Sequence, residues 1–341
     1  MSFQLSRLAR LASYVPDLHA SSKNDAVIFF QSTAMPPENE RHSTNLNFTS
    51  TAKRSDSDLY ASLPLARRID TVVGSLAVRD SAAGESGETI VLWPSILADH
   101  QIYQGPIASW RGKHRLVIID GPGHGDSGPA PAAFSMRECG QAMADILNQL
   151  DSSMPVILVG CSWGGLVAGE FAIDHPLRTK ALVMMNTPVH NDQQGLKLSD
   201  RFVVWGARWL HKTRVYQEGV AHSFFLPDTC KRGGSLLEAF YRHLCNADGA
   251  ALALSVRSVM LEREPLAPRM SKIKSPTLFI AGRFDEMYPI ETLRDAALSL
   301  PNGQFEVLDT SHISVVDESE KTTQLIDEFI AKLSSKKYSA N

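Results

Sequence analysis

From about Arg68 onward the chain alternates short, almost unbroken apolar runs with longer stretches of helical spacing, and that rhythm admits few folds. The runs are Ile90 to Trp93, Leu116 to Ile119, Val156 to Val159, Ala181 to Met185, Thr277 to Ala281 and Phe305 to Leu308, each ending in a turn or a polar group. Runs without polar alternation suit strands covered on both faces. Between them, Ser135 followed by Glu138 forms a capping-box pattern ahead of Met143, Ile146, Leu147 and Leu150, which predicts a helix from about 135 to 150. Leu325, Ile326, Phe329, Ile330 and Leu333 make a second apolar stripe behind the acidic stretch Asp317 to Glu320, and so predict the last helix of the core. Strands that alternate with helices need crossover connections, so the expected class is α/β, with a mostly parallel central sheet flanked by helices.

Two stretches break the rhythm. Residues 20–66 are rich in Ser, Thr, Asn, Asp and Glu, contain Pro36-Pro37 and lack sustained periodicity, which predicts a largely irregular N-terminal extension over residues 1–66. Its opening puts Leu5, Leu8 and Leu11 near helical spacing beside Arg7 and Arg10, with no acid before Asp17. That resembles a weak organelle-targeting peptide; a plain surface extension, and with it a cytoplasmic location, is the preferred reading. Asn47-Phe48-Thr49 fits the glycosylation sequon but follows no secretory signal, so a chance match is preferred. The second break, 190–268, is helix-like throughout and carries Phe202, Trp205, Trp209, Phe224, Phe225, Phe240 and Tyr241. It is too long for a loop. We expect a helical cap inserted into a core made of 67–189 and 269–341, roofing a pocket at the carboxyl edge of the sheet.

Composition narrows the partners. A net charge of -3 over 341 residues lacks the basic excess that phosphate backbones demand, so no nucleic acid is expected. The four cysteines, Cys139, Cys161, Cys230 and Cys245, form no CxxC pair and no metal-ligand rhythm with the histidines, which predicts reduced thiols and no metal. No run approaches the roughly 18 to 20 apolar residues that span a bilayer, so no membrane partner is expected either. What remains is a small-molecule substrate.

The chemistry concentrates in Gly160-Cys161-Ser162-Trp163-Gly164-Gly165, which follows the run ending at Val159 and precedes the helix-like Leu166 to Ile173. A serine on a sharp strand-to-helix turn presents its hydroxyl above the sheet, and glycines two residues either side avoid clashes that a Cβ would cause. Serine is a weak nucleophile at neutral pH and must have a base within hydrogen-bond reach, itself held by a third group. Among eleven histidines, His312 stands just past the strand-like Phe305 to Leu308 and shortly before the last helix. His124 in a glycine-rich loop, His175 before Pro176, and His211, His222 and His243 in the cap have blander structural readings. For the acid, Thr277 to Ala281 runs into Gly282-Arg283-Phe284-Asp285-Glu286, which makes Asp285 the candidate and Glu286 the weaker alternative.

GCSWGG, AGRFDEMYP and TSHIS together resemble the three catalytic segments of the α/β-hydrolase superfamily, of the lactonase and carboxylesterase type, over roughly residues 68 to 335. Asp120 to Ser127, DGPGHGDS, resembles its glycine-rich loop after the fourth strand. The resemblance implies a serine hydrolase acting on an ester or lactone without cofactor, with Ser162, Asp285 and His312 as the triad. Family members commonly carry His-Gly after the third strand; here Trp93-Pro94-Ser95 stands there, and Pro94 has no N–H to donate. The alignment therefore implies the amides of Ser95 and Trp163 as oxyanion donors, or Ile96 if the loop shifts by one, and the Ser95 hydroxyl is either a third donor or a turn residue. The aromatic cap implies an apolar or aromatic substrate. Carbon–carbon bond hydrolysis, aminopeptidase activity and a non-catalytic ligand receptor on the same fold stay open as alternatives.

Overall fold

The computed structural model describes residues 63–81, 87–191 and 198–338. The targeting-like spacing at Leu5 to Leu11 and the Asn47 sequon lie outside these described residues, as does nearly all of the expected extension.

Six strands come from the apolar runs: β3 (Thr89–Trp93), β4 (Arg115–Ile119), β5 (Val156–Cys161), β6 (Thr179–Met185), β7 (Thr277–Gly282) and β8 (Gly303–Leu308). They form one parallel array, and its spatial order runs β4-β3-β5-β6-β7-β8. Two further strands, β1 (Arg67–Thr71) and β2 (Gly74–Asp80), extend the sheet antiparallel beyond β4. In β1 Ile69 is buried between exposed neighbours, and in β2 only the short run Leu76 to Val78 is buried, so neither strand carries an apolar run as long as those of the parallel array. The edge strand β8 departs from the expectation of coverage on both faces, because its residues are exposed or half-buried along its length.

Helices fill the crossovers. α1 (Gln104–Trp110) follows β3, and α2 (Met136–Gln149) follows β4. The Ser135 side chain accepts from the Glu138 amide while Glu138 reaches back to the Ser135 amide at 2.7 Å, satisfying two otherwise orphaned donors of α2. α3 (Trp163–Asp174) is buried almost all round, as a helix wedged between sheet and neighbouring helix must be. Gly140 of α2 lies so near the Phe171 amide of α3 that a Cβ there would sit 3.1 Å from it.

Between β6 and β7 come α4 (Leu198–Trp209), α5 (Arg214–Phe224), α6 (Pro227–Arg232), α7 (Ser235–Asn246) and α8 (Gly249–Val256). The aromatic groups of this region divide. Phe224, Phe225, Phe240 and Tyr241 are buried, whereas Phe202, Trp205 and Trp209 of α4 are 61%, 50% and 63% exposed and roof nothing. After β7 come α9 (Ile290–Leu298), then β8, the single turn α10 (Ser314–Asp317) and the long α11 (Ser319–Tyr338), which Trp110 Nε1–H grips through Asp327 at 2.6 Å. β3 lies between β4 and β5, so the chain reverses its direction of travel across the sheet there, and α/β sheets open a ligand crevice at such a point.

Candidate active site

β5 ends at Cys161, paired with Met185, and the next amide, that of Ser162, donates to the Met185 carbonyl at 2.7 Å before the chain turns into α3. Ser162 sits at φ 53°, ψ −109°. For a residue with a Cβ that conformation costs about 1 to 3 kcal/mol, so the surroundings must enforce it. They do so by close approach: a Cβ on Gly160 would strike the Gly164 backbone, one on Gly164 the Trp93 carbonyl, and one on Gly165 the Thr187 hydroxyl.

The carboxyl ends of β7 and β8 supply the other two groups. His312 Nδ1 stands 2.8 Å from Asp285 Oδ2, and His312 Nε2 stands 2.9 Å from Ser162 Oγ. An ionised carboxylate only accepts, so Nδ1 carries the hydrogen and Nε2 is left to accept from the serine hydroxyl. Asp285 Oδ1 takes the Met287 amide at 2.9 Å, which fixes the second carboxylate oxygen. The neighbouring Glu286 side chain is exposed, because adjacent residues on this turn point apart.

Asn186, absent from the sequence reading, completes the support. It follows β6 at φ 49°, fully buried. Its Nδ2 donates to Asp285 Oδ2 at 3.3 Å and to the Ser311 carbonyl at 3.2 Å, while its Oδ1 accepts from Ser314 Oγ at 2.6 Å. One amide thus braces the acid and both sides of His312. Cys161, beside the serine, is no rival nucleophile: burial first, then the Asp285 charge, push its thiol well above the usual range.

Ser162 is 3% exposed and His312 fully buried. The Phe224 ring of α5 lies 5.4 Å from the imidazole and Tyr288 lies 5.5 Å from it. The backbone is tied as well, since the Ile313 amide donates to the Phe224 carbonyl at 3.0 Å. Asp317 makes the second tie, accepting from the Leu226 amide at 3.0 Å, the Thr229 hydroxyl at 2.7 Å and the Ser311 amide at 2.8 Å.

The loop bearing Ser95 faces the helix start at Trp163. Trp163 opens α3, where first-turn amides have no intrahelical acceptor. A Cβ on Gly164 would stand 3.2 Å from the Pro94 oxygen, so the segment carrying Ser95 rests on that first turn. Tyr103 pins the same segment by donating to the Trp93 carbonyl at 2.7 Å. The Ser95 hydroxyl is fully buried and has no hydrogen-bond partner among the described residues. A cavity of about 750 Å³ opens elsewhere, lined by Asp99, His100, Asp126, Arg242 and His243, and includes none of Ser162, Asp285 and His312. Among the described residues, no group of three or more His, Cys, Asp or Glu side chains is arranged to hold a metal ion.

A parallel sheet whose strand ends bring a strained serine, an imidazole and a carboxylate into one hydrogen-bonded line defines a class: α/β enzymes built for hydrolysis. The chain belongs to the alpha/beta hydrolase fold family, whose sequence model matches residues 89–319. It is 26% identical over 259 residues to 3-oxoadipate enol-lactonase 1 of Acinetobacter baylyi, covering 73% of this chain and 91% of that one. It is likewise 26% identical over 218 residues to a poly(3-hydroxyalkanoate) depolymerase of Ectopseudomonas oleovorans, covering 63% and 74%. Among solved structures, a thermophilic esterase from Thermogutta terrifontis shares the fold with a TM-score of 0.70 at 23% identity, covering 79% of this chain and 99% of that one. The enol-lactonase from Burkholderia xenovorans does so with a TM-score of 0.69 at 20% identity, covering 78% and 100%.

Proposed function

We propose that this enzyme hydrolyses an ester or lactone of a small, largely apolar or aromatic substrate through an acyl-enzyme intermediate, with Ser162 as nucleophile. One observation carries the reading: the unbroken line Ser162 Oγ, His312 Nε2, His312 Nδ1, Asp285 Oδ2, with links of 2.9 and 2.8 Å. Ser162 Oγ attacks the carbonyl carbon as His312 Nε2 takes its proton, and Asp285 stabilises the resulting imidazolium. The oxyanion is held by the amides of Trp163 and Ser95. His312 then gives its proton to the departing alkoxide, which in a lactone remains tethered to the acyl group. Water, deprotonated by the same nitrogen, attacks the acyl carbon, and His312 returns that proton to Ser162 Oγ as the acyl bond breaks and the free acid leaves. The relatives named as an enol-lactonase and a poly(3-hydroxyalkanoate) depolymerase support this bond type. The buried Phe224 ring beside His312, with Phe240 packed on it and Phe225 packed on Phe240, supports an apolar substrate body.

Ser162→Ala is expected to lower turnover of nitrophenyl esters and aromatic lactones by about a thousandfold or more and to abolish fluorophosphonate labelling, with the melting temperature preserved. Undiminished turnover in that variant removes Ser162 from the reaction. A wild-type protein that cleaves amino-acid amides but no ester or lactone overturns the substrate class.

A further inference from the structure

We propose that His124 is a positioning residue, which sets the oxyanion loop by holding the Leu97 amide, and this rests on the serine-hydrolase reading above. His124 Nδ1 lies 3.0 Å from the Pro122 carbonyl, and a carbonyl can only accept, so Nδ1 bears the hydrogen. The other nitrogen, Nε2, accepts from the Leu97 N–H at 3.0 Å, with the whole contact buried. Leu97 lies two residues beyond Ser95 and stands at φ 59°. A leucine there is strained and would relax without an acceptor to keep its amide in place.

The acceptor is permanent. Burial first, and the neighbouring His243 second, lower the His124 pKa to about 3, so Nε2 keeps its lone pair throughout the neutral range. The ring also packs on the side chain of the residue whose amide is the second proposed donor, since its centroid lies 5.4 Å from that of the Trp163 ring. One imidazole therefore touches the Trp163 side chain and holds the backbone two residues beyond Ser95. That imidazole is itself seated by the cap: the Pro122 carbonyl also accepts from Ser255 Oγ of α8 at 2.9 Å, and a Cβ on Gly123 would come within 3.2 Å of the Ala251 backbone. A path of direct contacts thus runs from α8 through Pro122 and His124 to Leu97 and the loop bearing Ser95.

A bland alternative is that the ring only fills space between Trp163 and His243, whose ring stacks on it at 5.5 Å. Two substitutions separate the readings. His124→Phe keeps a ring and deletes the acceptor, whereas His124→Gln loses the ring and offers a carbonyl oxygen about where Nε2 stands. With a nitrophenyl ester, His124→Phe is expected to lower kcat about tenfold or more while KM changes less than about twofold, and to weaken a trifluoromethyl ketone inhibitor by a factor like that in kcat. His124→Gln recovers most of both. Full kcat and inhibitor affinity in the phenylalanine variant, or an equal loss in both variants, overturns the proposal. If neither variant folds, nitrogen-15 imidazole spectra of the wild-type protein decide: the expected signal is a single neutral tautomer protonated at Nδ1, unchanged from about pH 5 to 8. A tautomer protonated at Nε2, or a titration in that range, overturns it. Failure of the serine reading looks different, because the wild-type enzyme would then not be labelled at Ser162 by a fluorophosphonate.

Discussion

Asn186 shows how much one buried side chain can govern. Its amide has three hydrogen bonds, to Asp285, Ser311 and Ser314, and its backbone N–H donates to the Ile280 carbonyl at 2.8 Å. Asparagine suits the place twice over, since it tolerates positive φ better than other residues with a Cβ and offers donor and acceptor from one planar group. Asn186→Ala leaves buried partners unsatisfied and keeps the backbone strain. We expect a loss of about 2 to 4 kcal/mol in urea unfolding, with kcat falling more than KM because Asp285 and His312 lose their brace. A loss under about 0.5 kcal/mol would show that water or neighbouring groups replace the amide without cost. Nothing in the sequence marked this residue. A polar group after an apolar run occurs at every strand end here, and the partners of its side chain lie 99 to 128 positions away in the chain.

At the scale of elements, the single turn α10 does what its length would not suggest. Its last residue, Asp317, binds the Leu226 amide and the Thr229 hydroxyl at the start of α6 and the Ser311 amide beside the imidazole. The sequence reading placed Asp317 in the acidic approach to the last helix, whereas the structure makes it a joint between cap and core. Its carboxyl is raised above the ordinary carboxylate range, chiefly by burial, although three donors favour the ionised form. The sign follows from proton binding: above the unfolded pKa the native state holds the proton more tightly, so stability falls as pH rises toward the native pKa. Asp317→Asn is expected to destabilise the fold, because its amide cannot accept from both sides. It should also flatten the slope of urea-unfolding stability against pH above about pH 4. An unchanged slope would assign that pH dependence to other carboxylates.

On the scale of the whole molecule, the closed cap poses a problem of access. With Ser162 at 3% exposure and His312 at zero, we expect substrate to enter by movement of α5 and α6 away from the imidazole loop. The Phe224 carbonyl and the Asp317 carboxylate are the two ties that such a movement would break, and both end beside His312. Hydrogen exchange of the native protein should therefore find the Ile313 and Leu226 amides opening together, at a free energy well below that of β5 and β6. Exchange of both only through global unfolding would mean that entry follows another route.

The sequence by itself determined the parallel strands and the capped helix α2, and it marked the serine, aspartate and histidine that the fold brings into one hydrogen-bonded line, because each is written in local pattern: unbroken apolar runs, a capping box, a glycine-flanked turn. It also gave the insertion between β6 and β7, though not which of its rings would face inward. Tertiary structure alone decided that Phe224 covers the imidazole while Trp205 and Trp209 face solvent, that Asn186 and Asp317 brace the site, and that His124 meets Leu97. These depend on contacts between segments far apart in the chain. Spacing constrains only what lies within a few turns or one strand, and the sheet must form before distant strand ends share an edge.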